Sequence, residues 1–139
     1  MASVSTYLDF KGQTEAAFEF YKSIFKTDYA GPIYRIKDTP AAPGKQRTEE
    51  EGNRIAHMVL PILGGHLLRG TDVPELSMGN NIGIMLEPDS RAEAEELYRA
   101  LSAGGKVVMP LADMFWGAYF SQFFDKFGVQ WFVNVENER

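Results

Sequence analysis

At 139 residues the chain has the length of one domain or of two small packed modules, and 45% hydrophobic residues suffice to bury a core. A net charge of −5, with no run of Lys or Arg, argues against a nucleic-acid surface. Without cysteine, disulfides, thiolate catalysis and sulfur-ligated zinc are excluded, and a reducing cytoplasm is the expected compartment.

Met1 to Ser5 lacks the positive region and apolar run of a secretion signal, and no apolar run approaches the roughly 20 residues needed to span a bilayer. Neither export nor membrane insertion is therefore expected. Val4 to Asp9 is short, apolar and β-branched and predicts strand one. A helix over 14–25 follows, with Thr14 as candidate cap and Glu15 suited to its positive end. Ala17, Phe20, Tyr21 and Ile24 fall on one helical face, which predicts a core stripe.

Gly31 to Lys37 reads as strand two, and Asp38 to Gly52 as a mobile loop ending in Glu49-Glu50-Glu51. Arg54 to Pro61 predicts strand three, Gly64-Gly65 a turn, and His66 to Arg69 strand four. Thr71 to Asn80 is polar and marks the boundary between modules 1–75 and 76–139 of a single domain. Asn81 to Leu86 predicts strand five, and a helix over 90–102 follows with Asp89 or Ser90 as cap. Ala94, Leu97, Tyr98 and Leu101 form its stripe, Gly104-Gly105 stops it, and Lys106 to Leu111 is strand six.

The chain closes on an aromatic stretch from Asp113 to Trp131 that holds both tryptophans. It predicts a hairpin: strand seven through Trp116, a turn at Asp125-Lys126-Phe127-Gly128, and strand eight from Val129 to Val135. Within strand seven, Trp116, Ala118, Phe120, Gln122 and Phe124 share one face, and Gly117, Tyr119, Ser121 and Phe123 the other. Alternation alone leaves open which face points inward.

The two halves repeat. A shift of 77 lays Ala17, Glu19, Phe20, Tyr21, Lys22 and Ile24 on Ala94, Glu96, Leu97, Tyr98, Arg99 and Leu101, and a shift of 63 lays Gly65 on Gly128. Each half then reads strand, helix, strand, strand, strand. The fold class is α+β: two βαβββ modules whose curved mixed sheets would enclose a shared cavity.

This layout resembles the vicinal oxygen chelate superfamily, also called the glyoxalase/bleomycin-resistance/dioxygenase fold. Tyr7-Leu8-Asp9-Phe10-Lys11-Gly12, Ile55-Ala56-His57, Gly70-Thr71-Asp72 and Phe115-Trp116-Gly117 resemble its PhnB-like branch, as does Asp125-Lys126-Phe127-Gly128-Val129-Gln130-Trp131. The branch is often labelled demethylubiquinone methyltransferase. Here no glycine-rich strand-to-helix turn suits a nucleotide-like methyl donor. The resemblance implies a homodimer, and exposed sheet edges give a physical motive for one. It also implies divalent-metal ligands on strands one, four, five and eight. Those ligands are His, Gln and Glu side chains; strand one has none over Val4 to Leu8, strand five has none before Glu87, and strand eight offers Gln130 and then Asn134. No metal and no cofactor is therefore expected. A site of His57, His66 and one carboxylate would require convergence across a turn.

His57, in an apolar strand, is either a hydrogen-bonded structural residue or the best candidate general base. His66 is expected at the surface. The candidate ligand-binding residues are His57, Arg69, Asp113, Trp116, Tyr119 and Phe120. Two functions follow: a metal-free protein binding a small amphipathic or aromatic molecule, or a metal-dependent or His57-assisted isomerase, lyase or dioxygenase acting on a small oxygen-bearing substrate.

Overall fold

A computed structural model describes residues 2–41 and 43–136. The chain forms two compact units, Met1–Ser77 and Met78–Arg139, each holding one four-stranded sheet. The first contains β1 (Thr6–Phe10), α1 (Thr14–Phe25), β2 (Tyr34–Arg35), α2 (Glu49–Asn53), β3 (Ile55–Pro61) and β4 (Leu67–Asp72), with strand order β1-β4-β3-β2. The second contains β5 (Ile84–Leu86), α3 (Arg91–Ser102), β6 (Lys106–Asp113), β7 (Ala118–Phe124) and β8 (Gln130–Glu136), ordered β5-β8-β7-β6. In each sheet the first strand joins the last in parallel and the other pairs are antiparallel. The fold is α+β, built from two βαβββ modules. The repeat holds residue by residue: a shift of 77 carries α1 onto α3, and a shift of 63 carries β3 onto β7.

In the first unit α1 buries Thr14, Ala17, Phe18 and Tyr21. The stripe is thus rotated from the one expected, since Phe18 takes the core position and Phe20 and Ile24 are half-buried. Gly70 explains the rotation. A Cβ there would lie 2.7 Å from Phe18 and 2.8 Å from Thr14, so the helix rests on bare β4 backbone. Thr14 is not the cap either. Asp72 Oδ1 accepts from the Thr14 amide at 3.1 Å and hydroxyl at 2.6 Å, while Oδ2 accepts from the Ile55 amide at 2.8 Å. A carboxylate brought from β4 thus satisfies a donor of the helix start.

In the second unit Ser90 caps α3 as expected, its hydroxyl accepting from the Glu93 amide at 3.1 Å. Ala94, Leu97 and Leu101 are buried, as are Phe123, Trp131 and Val133 of β7 and β8, and Tyr98 meets Phe123 edge-on at 5.8 Å. The closing hairpin is organised by Asp125, which is only 3% exposed. Its Oδ1 accepts from the amides of Phe127 and Val129, and its Oδ2 accepts from the indole of fully buried Trp131 at 2.9 Å. Gly128 supplies the positive φ, 88°, that closes the turn.

Several boundaries differ from expectation. Strand two shrinks to Tyr34–Arg35, because Ile36–Asp38 turns into a short 3₁₀ segment. The loop expected over 38–52 carries order: Thr48 and Glu51 form a reciprocal capping box that starts α2. Arg47 ties the loop down by donating to the carbonyls of Ile36, Thr39 and Pro40. Strand four runs on to Asp72. Strand seven begins at Ala118, and Phe115-Trp116-Gly117 forms the turn before it, with Gly117 at φ 92°.

Candidate functional site

Each sheet has one face packed by its helix and one face that its helix leaves uncovered. On β3 and β4, Met58, Leu60, Leu68 and Gly70 point to the helix side, where Phe18 meets Gly70. By alternation His57, Val59, Arg69 and Thr71 point to the other side. Parallel pairing sets Tyr7 directly beside Arg69, and Tyr34 stands across from His57. The Tyr7 and His57 rings lie 6.4 Å apart, and the Arg69 Nε donates to Ser5 Oγ at 3.2 Å. Tyr7, Arg69 and His57 therefore form one patch on the first unit's open face. No hydrogen bond engages the half-buried His57 imidazole among the described residues.

His66 differs from expectation. It is half-buried, and its Nε2 lies 2.8 Å from Thr6 Oγ1 on the helix side of the sheet. The two histidines occupy opposite faces and do not converge.

The second unit's open face is aromatic. Phe120 packs on Phe132 at 5.9 Å and on Trp116 at 5.8 Å, and Met85 adds an apolar side chain from β5. Gln122 donates to Gln130 Oε1 at 2.9 Å, and Gln130 Nε2 donates to the Ile82 and Asn80 carbonyls. The repeat places Phe120 where the first unit has His57, and Phe132 where it has Arg69. One open face is thus polar and titratable, the other aromatic.

Asp113 and Tyr119 lie elsewhere. β6–β7 register directs both away from Phe120, toward α3. Arg91 of α3 forks onto Asp113 at 2.8 and 3.0 Å and stacks 3.7 Å above the Tyr119 ring. The Asp113 hydrogen bond raises the Arg91 pKa, while burial followed by Glu95 raises that of the Tyr119 phenol. This is a brace between helix and hairpin.

A cleft of about 240 Å³ in the first unit has Glu15, Glu50, Arg54 and Asp72 in its wall. All four are engaged: Glu15 with Arg35, Glu50 with Arg54, and Asp72 with Thr14 and Ile55. Its Glu15 and Glu50 carboxylates are paired with arginines, and both Asp72 carboxylate oxygens are taken up by backbone and hydroxyl donors. Tyr7, Tyr34 and Ser5 escaped the sequence reading of the site. The alternation Ser5, Tyr7, Asp9 against Thr6, Leu8, Phe10 was the available signal.

Two four-stranded sheets, each with its own helix and a helix-free face, define an α+β protein of the double βαβββ class. The chain belongs to the Glyoxalase/Bleomycin resistance protein/Dioxygenase superfamily, whose sequence model matches residues 8–133. It is 33% identical to protein PA1353 from Pseudomonas aeruginosa, with a TM-score of 0.84 over 99% of this chain and 100% of that one. Protein YjdN of Escherichia coli is 26% identical, over 98% of this chain and 97% of its own length. A Bacillus cereus structure described as a putative 3-demethylubiquinone-9 3-methyltransferase, PhnB protein, is 22% identical, with a TM-score of 0.77 over 96% of this chain and 99% of that one. These relatives agree with the PhnB-like branch that the motifs resemble.

A divalent metal, which that superfamily implies, does not fit the side chains present. Among the described residues no group of three or more His, Cys, Asp or Glu could hold an ion. On the helix-free faces of these strands β1 presents Tyr7 and Asp9, β4 presents Arg69, β5 presents Met85, and β8 presents Phe132 and, at its end, Glu136, while Gln130 is spent on hydrogen bonds. No helix among the described residues is long and apolar enough to cross a membrane.

Proposed function

We propose that this PhnB-like protein binds a small amphipathic or aromatic molecule without a resident metal, using its helix-free sheet faces. The observation that carries the reading is the patch of Tyr7, Arg69 and His57. It joins a cation, an imidazole and a flat ring on a face that the unit's own helix leaves bare. Trp116 and Phe120 supply a separate apolar wall on the second unit. Asp113 and Tyr119 serve as the brace to Arg91 rather than as ligand contacts. The protein works in the cytoplasm as a homodimer, since its lack of cysteine suits a reducing compartment and dimerisation would cover exposed sheet edges.

Metal analysis of untagged protein, combined with a screen of flat aromatic fragments by ¹H–¹⁵N NMR, tests the reading. Substoichiometric metal and saturable shifts at Tyr7 and His57 are expected. Stoichiometric zinc, nickel, manganese or iron that is lost in His57→Ala would defeat it. Light scattering that returns the monomer mass at micromolar concentration would defeat the dimer.

A second reading has one observation in its favour: among the described residues no hydrogen bond engages the His57 imidazole, so its ring nitrogens are left for a bound substrate. Turnover of any ligand found in the screen would then vanish in His57→Gln while binding persisted.

A further inference from the structure

Four arginines in the described residues are half-buried: Arg35, Arg47, Arg54 and Arg69. Three of them spend their guanidinium on the protein. Arg35 forks onto Glu15 at 2.6 and 3.1 Å, Arg54 reaches Glu50 at 3.6 Å, and Arg47 donates to backbone carbonyls. Arg69 donates only its Nε, to the neutral Ser5 hydroxyl. Among the described residues no carboxylate lies within 4.0 Å of its guanidinium. Charge-assisted hydrogen bonds to an anion are the stronger bonds that such a guanidinium can still form.

Resting on the ligand face proposed above, we infer that Arg69 is the anchor of an oxyanion subsite and that the ligand carries a carboxylate, phosphonate or phosphate group on a flat organic body. The Ser5 bond engages Nε and leaves the two Nη atoms to form the fork that grips such a group. Tyr7 is the directly opposed neighbour of Arg69 and His57 the diagonal one, so a ring and a second N–H donor stand beside the anion. Asp9 is exposed two residues beyond Tyr7 and shares its face. A single cation facing one solvated carboxylate suits a small anion and disfavours a polyanion.

The test titrates the intact protein with benzoate, phenylphosphonate and benzyl alcohol, following the Arg69 Nε–H and His57 ring signals by NMR. The acids should shift both signals saturably. They should bind roughly ten- to a hundredfold more tightly than the alcohol, as a charge-assisted fork predicts. Arg69→Gln should abolish that preference, and Arg69→Lys should retain part of it, with circular dichroism confirming that both variants fold. Comparing benzoate with phenylphosphonate distinguishes carboxylate from phosphorus oxyanion. Equal binding of acids and alcohol at this face overturns the oxyanion inference and leaves the small-molecule reading standing. If no probe shifts the Tyr7, Arg69 or His57 signals, both fall.

Discussion

Asp125→Ala should be among the most damaging single changes outside the apolar core. The carboxylate accepts from the amides of Phe127 and Val129 at 2.8 and 3.0 Å and from the Trp131 indole at 2.9 Å. Truncation strands all three donors. The indole belongs to a residue with 0% exposure, so water cannot replace its partner, and leaving a buried donor unpaired costs about 1–3 kcal/mol. The two amides are in part-buried bonds and should each lose about 1 kcal/mol. The expected total is about 3–5 kcal/mol, out of the roughly 5–15 kcal/mol typical of whole domains. The assay is urea unfolding followed by tryptophan fluorescence in a Trp116→Phe background, so that Trp131 alone reports. A double-mutant cycle with Trp131→Phe, followed by far-UV circular dichroism because no tryptophan then remains, should recover a coupling of about 1–3 kcal/mol, since both changes remove the same bond. A loss below about 1 kcal/mol with an unchanged m-value, or a coupling near zero, would refute the clasp.

Gly105→Ala places a Cβ 2.0 Å from the Phe124 carbonyl oxygen; a loss above about 3 kcal/mol in thermal melts is expected, and a loss under about 1 kcal/mol would contradict the packing. Trp116 sits in a turn and is 52% exposed, so Trp116→Ala should cost less than about 1.5 kcal/mol, where a core tryptophan would cost about 3–5 kcal/mol. Fragment binding should weaken in the same variant. The hydrogen bond from Arg35 lowers the Glu15 pKa below its model-compound value of 4.5. A depressed carboxylate stabilises above its unfolded pKa and loses that contribution as pH falls through the folded one. Glu15 is 49% exposed, so the contribution is at most about 1 kcal/mol. Wild type and Glu15→Gln should therefore differ at neutral pH and converge as pH falls below the ordinary carboxylate range in urea titrations, and a gap that persists in acid would refute the pairing.

The sequence by itself determined the architecture. Helices over 14–25 and 90–102, the Gly64-Gly65 and Asp125–Gly128 turns, and the shifts of 77 and 63 were all legible, because periodicity, caps and positive-φ glycines are local properties. The helix that Thr48 and Glu51 start with their capping box reads as loop in the sequence, because the prolines and the acidic run around it hide the signal. Only the tertiary structure decided the rest. Rotation of the α1 stripe depends on what β4 offers, and a glycine at position 70 admits Phe18 in place of Phe20. The sorting of candidate residues depends on register. Alternation along one strand names two faces, but only pairing with a neighbour and packing of the helix reveal which is bare. That is why His57 and Arg69 joined one patch with Tyr7, while Tyr119 and Asp113 turned to Arg91. Arg54 has its partner four residues away in Glu50, but Arg35 meets Glu15 only through the fold, and nothing local to Arg69 distinguishes it from Arg35. Its lack of a carboxylate partner is a property of what the folded chain brings near it, and strand pairing between residues far apart in sequence fixes that neighbourhood.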